Sequence, residues 1–286
     1  MIAVTTPGSS DVVLPVASDD APLLPTHLSW SQIGLMRSCP QKFYFTYVAK
    51  APKDFVASSL KFGSAVHAGL EAYFRARMEG LSGDQNALMD AYQASWQHEE
   101  EPGVPIRYNK SEDITTLETT ARGMFTAFLK HPMAEARCDV IGIEESFQAE
   151  LAPDLPEVMA RVDLVYASEG AVHLVDFKTS RSRWNPAKVA EAADQLRLYE
   201  ILTSQITGDT PVELHFGVLT KAKTPAFDLL PVPPADSDVT VLEQITGVFR
   251  QVYQAMKAGN FYPAPSPQNC TTCPFKSRCP AWASKA

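Results

Sequence analysis

The sequence predicts a mixed α/β fold of the α+β kind, in which a sheet is flanked by helices, with a helical N-terminal region and a cysteine-rich C-terminal segment. Three observations predict it. Apolar residues recur at helical spacing through most of residues 28–129, the period turns strand-like between Val140 and Lys178, and the closing residues carry C-x2-C-x5-C-P among prolines.

Residues 1–25 mix Thr, Ser, Asp, Pro and small apolar residues with neither period, and read as a flexible tail. Residues 26–139 form the helical region. There Ser29 or Ser31 can cap a helix carrying Ile33, Leu35 and Met36, which Cys39-Pro40 interrupts. The aromatic run Phe43, Tyr44, Phe45 and Tyr47 that follows is expected in the core. Helices are then predicted over residues 62–77, with Val66, Leu70, Tyr73 and Phe74 on one face, over 84–100, and over 114–129, whose apolar stripe is Leu117, Ala121, Met124, Phe125 and Phe128.

Residues 140–262 hold the strands. Segments 140–150, 158–166 and 171–178 are β-rich, separated by Pro, Ser or Gly, and suggest a meander. A helix over 189–206, a strand over 212–219, an edge strand over 226–232 and an amphipathic helix over 239–258 complete the order. Residues 263–286 are too rich in Pro and Cys to fold without an organising ligand and are expected to pack back near Cys39.

The bulk properties exclude several classes. With 286 residues, 45% of them hydrophobic and 20% charged, the chain has the composition of a globular protein with ample material for a core. No apolar run approaches the ~20 residues of a membrane helix, and the N-terminus lacks a signal-peptide pattern, so the chain reads as cytoplasmic with no membrane partner. A net charge of -8 argues against coating nucleic acid nonspecifically but permits a local basic groove. Five cysteines, an odd number, do not read as a disulfide framework. There is no G-x-x-x-x-G-K-[ST] motif, so a helicase motor would be a separate partner.

The stretch richest in chemistry runs from Ala160 to Tyr166, turns at Ser168-Glu169-Gly170, and returns through Val175-Asp176-Phe177-Lys178. As a hairpin it would bring Asp163 and Asp176 together near one end of the sheet and set Asp176 and Lys178 on one face. Two carboxylates and a backbone carbonyl, that of Phe177, are hard oxygen ligands for Mg²⁺ or Mn²⁺. Such an ion stabilises charge on a phosphodiester and acidifies an attacking water, and Lys178 would orient that water or neutralise developing charge. An isolated D-x-K is a weak signal, and both acids could be ordinary strand-end residues. The otherwise apolar strand Val172-His173-Leu174-Val175 shifts the balance, because charge at its end is costly unless paired or metal-bound. In the preceding strand Glu145 is a weaker third carboxylate, since Glu144-Glu145 could equally be a solvated pair.

These residues resemble the PD-(D/E)xK superfamily, and within it the RecB-like, CRISPR-associated exonuclease branch. That branch has, in order, a helical His, an Asp in a G-x-x-D-like strand, a D/E-x-K strand and a Q-x-x-x-Y helix. Here His67, Asp163, Asp176-Phe177-Lys178 and Gln195 with Tyr199 match them, with Ala160 where the branch usually has Gly. The motifs span roughly residues 28–282. The resemblance implies a restriction-endonuclease-like core with a central mixed sheet, and a metal-dependent DNA exonuclease acting on single-stranded or unwound DNA in recombination, repair or CRISPR adaptation. It implies Asp163, Asp176, Lys178, Gln195 and Tyr199 as the catalytic set, and His67, Asp163, Asp176 and the Phe177 carbonyl as metal ligands. Its partners would be DNA with single-stranded ends and a separate helicase or CRISPR adaptation protein.

On their own, Gln195 and Tyr199 share a helical face and could reach DNA, or form only a half-buried polar stripe. Ala68-Gly69 after His67 suggests that this helix packs closely on the sheet. The alternatives are a catalytically silent DNA-binding scaffold, which the intact acid and lysine set argues against, and a helicase-associated subunit, which would keep the same site.

Cys270, Cys273 and Cys279 need a fourth ligand, and Cys39, also in a Cys-Pro turn, supplies it. Spacing alone favours structural Zn²⁺. Iron-sulfur nucleases of the same branch carry one Cys before the core and three after it in this arrangement, so the resemblance implies a 4Fe-4S cluster and leaves Cys138 as a spare thiol. Arg181, Arg183 and Trp184, with Lys221, Lys223, Lys276 and Arg278, could line a groove for single strands, or be separate solvated charges.

Overall fold

The computed structural model describes residues 24–98, 102–135, 139–235 and 237–283. The tail expected over residues 1–25 and Cys138 therefore lie, almost entirely and entirely, outside the described residues.

The described chain starts with a two-residue strand β1 (Leu28–Ser29) and the helices α1 (Trp30–Ser38) and α2 (Pro40–Phe43). Ser29 caps α1 through a capping box: its hydroxyl accepts from the Gln32 amide and the Gln32 side chain accepts from the Ser29 amide. Of the aromatic run expected in the core, Phe43 at the end of α2 is fully buried, whereas Tyr44, Phe45 and Tyr47, on a π-helical turn Tyr44–Val48, are only half-buried because a single turn cannot direct all of them inward. A second short strand β2 (Val56–Ala57) leads into α3 (Ser58–Met78) and α4 (Gln85–Gln97). Next come β3 (Ile106–Arg107), α5 (Ile114–Leu129) and α6 (Pro132–Glu135). The parallel β2–β3 pair lies where the sequence signals only loop, because two-residue strands leave no periodicity to read.

The sheet strands follow as β4 (Asp139–Ala149), β5 (Val158–Ser168) and β6 (Ala171–Ser180). Helix α7 (Pro186–Thr207) crosses to β7 (Val212–Thr220), and β8 (Ala226–Pro231) and α8 (Asp238–Lys257) come next. Helix α7 starts three residues before the predicted position because Asn185 caps it and Pro186 occupies its first turn. The chain closes with α9 (Pro267–Cys270), a 3₁₀ turn at Lys276–Arg278 and α10 (Pro280–Ala283).

The result is the mixed α/β fold with a central mixed sheet. Strands β4, β5 and β6 form the expected antiparallel meander, β6 and β7 run parallel, and β7 and β8 antiparallel. Helices α3, α4 and α5 bury Phe74, Phe125 and Phe128 against Leu164, Val175 and Phe177 on one face. Helices α1, α7 and α8 bury Ile33, Leu196 and Phe249 against Val162, Leu174 and Phe216 on the other. The close approach at Gly69 is made to α4 and α5 rather than to the sheet: a Cβ there would lie 2.6 Å from the Phe125 ring and 2.9 Å from the Leu88 carbonyl. Among the described residues no helix is long and apolar enough to cross a membrane.

One irregularity positions the site. Strand β5 pairs with β4 along its length, but its other edge is shared. Leu28 and Ser29 of β1 pair with Val158 and Met159, while β6 pairs only from Leu164↔Val175 onward to the turn. The hairpin thus splays just before Asp163 and Asp176, in the body of the sheet rather than at its end.

Candidate active site

Asp163 stands at the splay, and its Oδ2 accepts a hydrogen bond from the Phe177 amide at 2.6 Å. That bond spans the gap where ladder pairing stops and fixes the carboxylate against β6. From α3, His67 places Nδ1 3.5 Å from the same Oδ2. Burial disfavours the charged imidazole, but the hydrogen bond and charge of Asp163, with Asp176 and Glu144 beyond, raise its pKa above the ordinary value.

Glu144 completes this cluster. It lies opposite Asp163 in the β4–β5 register, between the pairs Ile143↔Leu164 and Glu145↔Val162. Its φ of 55° is left-handed, a conformation that costs a non-glycine residue about 1 kcal/mol or more. The register also shifts between Val140 and Gly142, so alternation counted along the strand misassigns the inward carboxylate. Glu144, not Glu145, faces the site. Burial first and the neighbouring Asp163 second raise its pKa, while Arg161, at 2.8 Å, holds one oxygen. A nitrogen of His67 and one oxygen each of Glu144 and Asp163 all lie within 4.8 Å of one another.

Asp176, only 4% exposed, sits beside this group. Its Oδ2 lies 2.6 Å from Lys178 Nζ, an ion pair whose angle is poor for a hydrogen bond. Burial pushes its pKa up to about 6 against the pull of Lys178, and Asp163 adds to the rise. Gln195 on α7 joins the set: its Nε2 donates to Asp176 Oδ1 at 2.9 Å and to the Tyr199 hydroxyl at 2.7 Å, and its Oε1 accepts from Lys178 at 3.1 Å. Tyr199 is buried, and its hydroxyl is held by Gln195. The structure therefore brings together His67, Asp163, Asp176, Lys178, Gln195 and Tyr199, and adds Glu144.

The donor chemistry fits a hard divalent cation: two carboxylates and one imidazole converge, and Asp176 keeps a buried oxygen with no well-aligned hydrogen bond. Several of the basic residues are already engaged by acidic or aromatic partners. Arg183 pairs with Asp228, Lys221 with Glu112 and Arg278 with Asp54, while Trp184 packs on Phe216 at 5.1 Å; Arg181 is exposed.

Cys39, Cys270, Cys273 and Cys279 line one small cavity, with Phe45, Asn269 and Phe275 among its walls. None of the four is in a disulfide. Burial pushes the Cys273 and Cys279 thiols up, and the nearby Cys39 sulfur adds to this, while the backbone at Phe275 and Ala281 hydrogen-bonds to them and pulls the other way. Protein contacts also dock the segment. Asp54 accepts from the amide and hydroxyl of Ser277 and from Arg278, the Asp54 amide donates to the Pro274 carbonyl, and Asn269 donates to the Ser38 carbonyl. The role of Asp54 carries no motif signal, because its partners lie more than 200 residues away in sequence.

A splayed hairpin in a mixed sheet, with paired acids, a lysine two residues on and a glutamine from the next helix, defines a nuclease-type site. The chain belongs to the PD-(D/E)XK nuclease superfamily, whose model matches residues 27–280. Members of that superfamily generally use divalent metals. The Gene 69 protein of Mycobacterium phage L5 is 27% identical over 181 residues, covering 63% of this chain and 58% of that protein, so the match spans less than two thirds of that relative. The crystal structure of a candidate exonuclease from Eubacterium rectale aligns with a TM-score of 0.52 at 11% identity, covering 91% of this chain and 88% of that one. At this identity the likeness is one of fold.

Proposed function

We propose that the chain is an Mg²⁺- or Mn²⁺-dependent DNA exonuclease of the RecB-like, CRISPR-associated branch, acting on single-stranded or unwound DNA ends. The observation that carries the reading is the convergence of His67, Glu144 and Asp163 within 4.8 Å beside the Asp176–Lys178–Gln195 network. His67, Glu144, Asp163, Asp176 and the Phe177 carbonyl would hold the ion, which when bound supplies charge stabilisation at the scissile phosphate and a more acidic water.

The protein's own groups do the rest. Lys178 stands ready to orient the attacking water or to neutralise charge developing on the phosphate. Gln195 fixes both Lys178 and Asp176, and Tyr199 fixes Gln195. Arg181 and Arg183 would contact the DNA backbone, Arg183 after leaving Asp228, and Tyr199 would act through the helix that it anchors. In this reading residues 26–139 contribute Cys39 and His67, residues 140–262 the catalytic strands, and residues 263–286 the remaining cysteines.

The four cysteines are assigned to a 4Fe-4S cluster that joins the chain's two ends and takes no part in hydrolysis. That the four line one cavity supports a shared metal group, and the arrangement of one cysteine before the core and three after it favours the cluster over zinc. A role in recombination, repair or CRISPR adaptation, with a separate helicase or adaptation protein, follows from the branch.

The test is digestion of end-labelled single- and double-stranded DNA by anaerobically purified protein, with Mg²⁺, with Mn²⁺ and with chelator. Metal-dependent release of nucleotides from single-stranded ends is expected. Cleavage that persists in chelator would refute the metal mechanism, and internal cuts without end dependence would refute exonuclease action.

A further inference from the structure

A second cluster of ligating side chains lies on β6 and β7, on the sheet face opposite the Asp176 carboxylate. His173 is three residues before Asp176, an odd offset that turns it to the other side of the strand. Leu174 packs in the core beneath α7 while Val175 packs beneath α3, in accord with that alternation. Across the parallel ladder His173 is registered with Glu213, and His215, two residues further, shares the face of Glu213.

The three side chains meet at their donor atoms. His173 Nδ1 lies 3.2 Å from His215 Nε2 and 3.4 Å from Glu213 Oε2, and His215 Nε2 lies 3.5 Å from the same oxygen. These lengths have a specific meaning. Zinc–nitrogen and zinc–oxygen bonds of about 2.0–2.2 Å in a tetrahedron set neighbouring donors about 3.3–3.6 Å apart. The triangle of His173 Nδ1, Glu213 Oε2 and His215 Nε2 is one face of such a tetrahedron to within about 0.1 Å.

The surroundings hold the ligands in that pose. His173 Nε2 faces the Ser168 carbonyl at 3.3 Å, so its proton belongs there and the Nδ1 lone pair points into the cluster. A backbone carbonyl on the far nitrogen is the usual way a metal-binding histidine is oriented. Tyr166 stacks flat on the same ring, with centroids 4.4 Å apart and planes 6° from parallel. His173 and His215 are both largely buried, while the Glu213 side chain is 56% exposed and leaves a route from solvent.

We propose that His173, Glu213 and His215 form a second metal site, selective for Zn²⁺ or a similar borderline transition ion, with water as fourth ligand. Two imidazoles and one carboxylate suit that class better than Mg²⁺, which prefers an all-oxygen octahedron. The ion would fasten β6 to β7 upstream of Asp176 and Lys178. Its role is to stabilise the strand that carries the nuclease residues, not to react.

The experiment uses the full chain carrying Asp163→Asn and Glu144→Gln, so that the acidic cluster does not compete. Zn²⁺ alone is titrated into this parent and into two derivatives, Glu213→Gln and His215→Gln, with bound metal and thermal midpoint as readouts. The parent is expected to bind one more Zn²⁺ per chain than either derivative, or to bind that ion at least 10-fold more tightly, with a rise in midpoint that both derivatives lose. Glu213→Gln changes a half-exposed side chain, and far-ultraviolet circular dichroism verifies its fold. Equal stoichiometry, affinity and midpoint shift in parent and folded derivatives would overturn the site and leave a hydrogen-bonded cluster. Because the readouts are binding and stability in a background without nuclease activity, the outcome is separate from that of the exonuclease assignment.

Discussion

Replacing Asp176 by Asn should make the metal-free protein more stable while eliminating cleavage. The Asp176 carboxyl is buried, and its pKa rises from 3.8 to about 6 despite the adjacent Lys178. A rise of about 2 units, at about 1.4 kcal/mol each, sets an upper limit of about 3 kcal/mol for the cost of the ionised form at neutral pH. Asn resembles the protonated acid in shape and leaves Lys178 without its counter-charge, so about 1–3 kcal/mol of stabilisation is expected, or roughly 2–10 °C in thermal midpoint. The raised pKa also fixes the pH dependence. Protonated Asp176 stabilises the fold below its unfolded pKa near 4, and that contribution is lost as pH rises through about 6. The metal-free wild type should therefore lose stability between about pH 4 and pH 6 relative to Asp176→Asn, and Mg²⁺ should restore it in the wild type alone. Thermal scans in EDTA and in Mg²⁺ across that range, with nuclease assays at pH 7.5, measure both effects. A variant less stable than wild type in EDTA at neutral pH, or one that retains full cleavage, would refute the reasoning.

Glu144→Gln should reduce cleavage by at least 10-fold and weaken Mn²⁺ binding in titration calorimetry, whereas Glu145→Gln should leave both unchanged; the reverse pattern would return the inward position to Glu145. Gln195→Ala removes the hydrogen bonds that hold Asp176, Lys178 and Tyr199, and should lower kcat about 10–100-fold with little change in thermal midpoint. Cys39→Ser should abolish the iron and sulfide content measured in anaerobic preparations, while Asp54→Ala should keep the iron yet speed proteolysis of the C-terminal segment, since it removes the contacts to Ser277 and Arg278. DNA affinity measured by anisotropy should fall as salt rises, and Arg181→Glu should weaken it equally for unrelated sequences; a flat salt response would argue against phosphate contacts.

Much of the site was legible because its signals are short-range. Asp176 and Lys178 share a face by strand geometry alone, and Gln195 and Tyr199 share one by helix geometry, so two-residue and four-residue spacings carried them. His67 could be placed only through its order in the motif series, since nothing local ties a helical histidine to a strand nearly a hundred residues on. Glu144 was missed for a definite reason. Alternation along β4 is broken by the register shift at Val140–Gly142 and by the left-handed φ of Glu144. The partners of the basic residues were not legible, because sequence shows a positive charge but not its partner, and Asp228, Glu112 and Asp54 pair with three of them.

The sequence by itself determined the mixed fold, the meander, the acid and lysine hairpin and the cysteine spacing, since each is written in periods and intervals that span a few residues. Tertiary structure alone decided where the hairpin splays. Strand β1, from the start of the described chain, takes the edge of β5 that β6 leaves, and this opens the gap that holds Asp163. It also decided that Glu144 turns inward, that Asp54 clasps the C-terminal segment, and that His173, Glu213 and His215 meet at donor distance. All of these depend on the register between strands or on contacts between distant segments, which packing sets and local sequence does not encode.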